Sequence, residues 1–137
     1  MRLHGRFFVV FILYALSGCT FDGQTSATLE RSTQTEDGHF DLTLVAKEAG
    51  LAVGNNAYLL TVTPRNMLLA NEMSVQVKPW MPDHGHGMNV KTTVEALDGG
   101  RFLVEGVLLH MRGRWVMTIE IQDGPVTDRA SVEVNLV

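Results

Sequence analysis

The chain has 137 residues, 45% hydrophobic and 19% charged, which suits one domain with its own packed core. A net charge of −4 leaves no basic face of the kind a phosphate backbone requires, so nucleic acid is excluded as an expected partner. The one cysteine, Cys19, excludes an internal disulfide, and stability has to come from apolar burial.

The chain opens with Arg2 and Arg6, followed by an unbroken apolar run from Phe7 to Leu16. At about ten residues this is the length of a signal-peptide core, half of what a membrane-spanning helix needs. Leu16-Ser17-Gly18-Cys19 follows at once and resembles a bacterial lipoprotein signal. Residues 1–18 are therefore expected to be removed. Cys19 is expected to carry lipid, palmitate among its chains, that holds the protein to a membrane outside the cytoplasm. The alternatives are an uncleaved anchor and a simple secretory signal. Thr20, where some bacteria use aspartate to retain a lipoprotein at the inner membrane, points to the periplasmic face of the outer membrane in a cell that has two. Residues 19–38 are polar and without hydrophobic periodicity, and read as a flexible linker.

From His39 onward the period is two. Apolar residues alternate with polar ones through Phe40–Leu44, Tyr58–Val62, Met73–Val77, Val90–Ala96, Phe102–Leu108, Trp115–Ile121 and Ala130–Leu136. Phe102, Val104 and Leu108 read as one face, with Gly106 between them. Turn residues separate the runs, including Gly54-Asn55-Asn56, Asp98-Gly99-Gly100 and Asp123-Gly124-Pro125. About seven half-buried antiparallel strands over residues 39–137 predict an all-β, immunoglobulin-like sandwich without its usual disulfide, with a small barrel as the alternative.

One stretch departs from this pattern: Lys78-Pro79-Trp80-Met81-Pro82-Asp83-His84-Gly85-His86-Gly87-Met88. Its two prolines argue against a central strand. Imidazole binds copper, zinc, nickel and iron, and thioether sulfur is soft and favours Cu(I). In extended conformation His84, His86 and Met88 point the same way, and Met81 joins them if the prolines turn the chain. His110-Met111, at the end of a later strand, either faces this loop across the sandwich end or merely flanks a hairpin. The expected metal ligands are His84, His86, Met81, Met88, His110 and Met111, and the expected ion is copper. The competing reading is structural. Trp80 and Met81 would plug the end of the sandwich, and the histidines would satisfy loop carbonyls. His39 reads as a surface residue, Met67 and Met73 as packing, and Trp115 as core.

The chain carries no zinc-protease helix motif, nucleophile elbow or phosphate loop, so no enzyme is expected. Beside a metal-binding module, the second functional class is an interaction module for another envelope protein, using a strand edge or sheet face.

Taken together, these residues resemble the YtkA-like family, which is related to the FixH-like family. The resemblance covers about residues 39–137. It is carried by Gly54-Asn55-Asn56-Ala57-Tyr58, Met81-Pro82-Asp83-His84-Gly85-His86-Gly87, Gly99-Gly100-Arg101-Phe102 and Leu108-Leu109-His110-Met111-Arg112-Gly113-Arg114-Trp115. It implies an immunoglobulin-like domain outside the cytoplasm. The FixH-like branch is linked to copper supply for a terminal oxidase and usually has a transmembrane helix, where this chain has a lipoprotein-type signal. Carried over by motif, the implied site residues are Met81, His84, His86 and Met111.

Overall fold

Among the described residues, nine strands make two antiparallel sheets. The computed structural model describes residues 29–48, 51–66 and 72–137. Cys19, the signal-like segment and Met67 lie outside the described residues. The strands are β1 (Glu30–Gln34), β2 (Phe40–Ala46), β3 (Gly54–Pro64), β4 (Met73–Met81), β5 (His86–Gly87), β6 (Thr93–Ala96), β7 (Arg101–Leu109), β8 (Gly113–Asp123) and β9 (Val126–Leu136). One sheet runs β1-β2-β3-β7-β6 and the other β5-β4-β8-β9. With β1 and β5 set aside, the order β2-β3-β7-β6 over β4-β8-β9 is that of the seven strands of an immunoglobulin constant-type sandwich.

The alternation in the sequence is what closes the core. Trp115, Met117, Ile119 and Ile121 on β8 are all fully buried, as are Phe40, Tyr58, Leu60 and Val104 from the opposite sheet. Each such side chain contributes about 1.5–3 kcal/mol by leaving water. This burial takes the place of the absent disulfide.

Four expectations are corrected. The first concerns the linker. Its residues Glu30–Gln34 form β1 and pair with Asp41–Val45 of β2, so the fold begins before His39. The polarity of β1 reflects its place at a sheet edge, where most of its side chains are exposed.

The second concerns β7, whose parity changes midway. Phe102 and Val104 are buried, and so are Val107 and Leu109, whereas Leu108 is only half-buried. Between the pairs Tyr58↔Val104 and Asn56↔Val107 the register shifts, with one extra residue on β7. Gly106 sits there at φ +69, so glycine absorbs a bulge that turns the rest of the strand over.

The third concerns the length of β4, which continues beyond Val77 through Pro79 to Met81; Pro79 is buried and opposite Met117, where β4 is paired on one side only. Thr92 Oγ1 donates to the Val77 carbonyl at 2.7 Å, so the backbone polar groups of Val77 face away from β8. Pro79 shares that parity, and its missing N–H therefore falls on the outer edge, where no ladder bond is lost.

The fourth concerns Val90–Thr92, which are not strand. They form the connection that crosses from one sheet to the other, and β6 starts at Thr93.

Candidate functional site

The β4–β5 connection is a tight hairpin. Met81 O accepts from the N–H groups of His84 (3.2 Å) and Gly85 (2.9 Å), which curls Pro82–Gly85 into a turn. His84 is therefore not in extended backbone, and the same-side argument from sequence spacing does not apply to it. Arg114 on β8 pins the turn, donating Nη2–H to Asp83 Oδ1 at 2.8 Å while its Nη1 lies 3.5 Å from Glu133. The hydrogen bond from Arg114 holds the Asp83 carboxyl below the usual carboxylate range, although both groups stay open to solvent.

Across the ladder Met81 pairs with His86, and Trp80 with Gly87. Residues opposite one another share a face. Met81 is only 1% exposed, so its face is the inner one, and His86 lies over the core at the mouth of the sandwich. His110 follows β7 directly and stacks on His86, with ring centroids 5.2 Å apart and planes 26° from parallel. The His84 ring lies 5.7 Å from that of His86. Trp115 forms the floor and meets His86 and His110 edge-on at 6.3 and 5.3 Å. Its own indole N–H donates to the Met111 carbonyl at 3.0 Å, which ties His110-Met111 to β8.

The structure thus gathers three histidines from two separate segments at one end of the molecule. Met81 lies beneath them, and a Cβ built on Gly113 would come within 2.6 Å of its methyl group. Glycine is favoured at 113 by its φ of +122, and a Cβ there would also make the Met81 methyl give way. Met111 is half-buried against the core beside Trp115. Met88 is placed differently, in the wall of a lateral groove with Pro79, Trp80 and Thr92. Sequence reasoning assigned Trp115 to the core alone and missed Arg114 and Gly113 as supports. The adjacency Gly113-Arg114-Trp115 after His110-Met111 was the available signal.

His86 Nδ1 lies 3.3 Å from the Gly87 carbonyl. The tautomer that donates there leaves Nε2 free as a metal ligand. Imidazoles above thioethers make a donor set that fits a soft monovalent cation such as Cu(I).

A second grouping lies at the far end, roughly 20 Å away along β8 at the usual rise per residue. Asp37, His39 and Asp128 bring donor atoms within 4.8 Å of one another. Asp128 is nevertheless committed elsewhere. Its buried carboxylate accepts the N–H groups of Asp37 (3.1 Å), His39 (3.2 Å) and Arg129 (2.8 Å), and lies 3.0 Å from His39 Nδ1. Burial alone would raise its pKa. The Thr35 hydroxyl and the three backbone donors outweigh that and hold it well below the carboxylate range. This carboxylate locks the β1–β2 turn onto β9.

The profile of the YtkA-like family matches residues 22–120, which takes in β1 to β7 and most of β8 and includes every residue of the histidine end. The chain belongs to the YtkA-like family. No curated protein and no solved structure matches it. The matched segment stops short of β9, which pairs with β8 from Gly113 to Asp123.

Proposed function

We propose that this YtkA-like domain is a non-catalytic copper-binding module, a carrier or buffer that takes up the ion at the histidine end of the sandwich. Membrane attachment through lipid on Cys19, outside the cytoplasm, is part of this proposal. The observation that carries it is the convergence of His84, His86 and His110, the last two over Trp115. Rings this close need only side-chain rotation to turn nitrogens toward one ion. His86 and His110 are the central ligands, with His84 on the exposed turn able to complete or release the site. Met81 and Met111 supply soft sulfur from below, and Met88 contributes only if its loop moves. A site without thiolate also avoids the oxidation that cysteines suffer outside the cytoplasm.

Titrating the purified protein with Cu(I) against a competing chelator tests this. Tight, stoichiometric binding is expected. Replacing both His86 and His110 by Ala should weaken it at least a hundredfold with the β-sheet circular dichroism unchanged. Met81→Leu preserves volume in the core, costs under about 1.5 kcal/mol, and should weaken Cu(I) more than Cu(II). Affinity unchanged in the double-histidine variant would end the copper reading.

A further inference from the structure

At both long sides of the sandwich the two sheets meet, β1 against β9 on one and β4 against β6 on the other. Beside β4 and β6 lies a groove of about 780 Å³, with the Met88–Thr92 connection along it.

Three observations meet in this groove. The first is backbone. Val77 turns its polar groups away from β8, since its carbonyl accepts Thr92, and Val75 shares its parity. Among the described residues no strand pairs with β4 on that side between Met73 and Pro79, because β5 covers only Trp80 and Met81. The Val77 carbonyl is held within the chain by Thr92, and the other N–H and C=O groups along this edge are the template for another strand.

The second is apolar surface. Trp80 and Val90, 47% and 51% exposed, are both in the groove wall. The third is charge. Lys78 and Lys91 line the groove and no carboxylate does, in a chain whose net charge is −4.

We infer that the β4 edge is a docking site for an extended, acidic segment of a partner protein, which adds as a strand beside Val75 and Val77. The alternation of such a strand sends one set of side chains into the groove beside β4 and β6. The other set stands beside Gln76 and Lys78, where a carboxylate directly opposite the ammonium pairs favourably. Pro79 has no N–H and ends the pairing, which fixes its register. Trp80 supplies a rigid apolar contact at that end. This inference is independent of copper, which the histidine end would bind without the groove.

The probe is a seven-residue blocked peptide alternating valine and glutamate, added to the 15N-labelled full chain, with a valine–lysine peptide as control. The glutamate peptide should shift the Val75 and Val77 amides and bind at least tenfold more tightly than the lysine peptide. Its affinity should fall several-fold between 50 and 300 mM salt. Lys78→Glu with Lys91→Glu, two exposed changes, should reverse the preference while the thermal midpoint holds. Val75→Pro should abolish the shifts, and the charge-reversal pair decides the matter if that variant does not fold. Several outcomes would overturn the proposal: no shift at Val75 and Val77 at millimolar peptide, equal binding of both peptides, shifts confined to His84–His110, or sedimentation showing the edge occupied by a second copy.

Discussion

Asp128 and Tyr58 show how differently two buried polar residues can be treated by one core. Asp128 is matched by backbone donors on three sides, so its charge is the form the fold selects. Its folded-state pKa lies below the unfolded value of about 3.9, so its contribution is fully present above that pH. The contribution is lost as pH falls through the lowered folded value. Asp128→Asn should cost about 1.5–3 kcal/mol at pH 7, a drop of roughly 5–15 °C in melting temperature. The variant should also show a shallower loss of stability below pH 4, read by thermal melts across pH. Tyr58 is the opposite case. Its hydroxyl is buried with no partner among the described residues, and burial pushes its pKa upward. Tyr58→Phe removes an unmet polar group and leaves the ring, so the melting temperature should hold or rise, by up to about 1 kcal/mol in stability. A fall of several degrees would mean that the hydroxyl has a partner.

At the scale of the element, β8 is the organising strand. It lies between β4 and β9, and it carries the Trp115 floor, the Arg114 anchor of the β4–β5 turn and the Gly113 gap for Met81. Gly113→Ala would place a methyl against Met81 and force a side chain into a left-handed backbone. A loss of about 2–4 kcal/mol is expected by urea denaturation. Shortening the neighbour in Gly113→Ala/Met81→Ala should not simply add the two costs, since the clash disappears. The β7 bulge works at the same scale. Without the flip at Gly106, Val107 and Leu109 would face solvent, and the strand would not lie flush with β3 near the histidine end.

For the whole molecule, the two ends and two sides have separate tasks. The Asp128 end is a lock, the histidine end an assembly of rings, one side joins β1 to β9, and the other carries the groove beside β4 and β6. The fold needs β9 although the family profile ends before it. Ala130, Val132, Val134 and Leu136 are all buried against β8 and the facing sheet. At about 1.5–3 kcal/mol for each of the larger three, losing them approaches the whole stability of a small domain. A chain ending at residue 124 should show no cooperative thermal unfolding by circular dichroism, whereas the full chain should melt in one transition.

The sequence by itself determined the sandwich, because a period of two with one apolar face leaves few options other than two sheets packed together. It also singled out the histidines and methionines whose side chains are of metal-ligand type. It could not reveal β1, whose polar residues look like a linker until an edge strand needs them, or β5, which is two residues long. It kept Pro79 out of a central strand but ended β4 at Val77, since whether a missing N–H stops a strand depends on which way the residue faces in the ladder. Only the tertiary structure decided that His110 lies on His86, 24 positions away in sequence, that Trp115 lies beneath both, and that Met88 goes to the groove instead. Periodicity reports which face a residue belongs to. Which residues meet at the end of a sandwich is decided by how strands from different sheets are connected, and that information is not local.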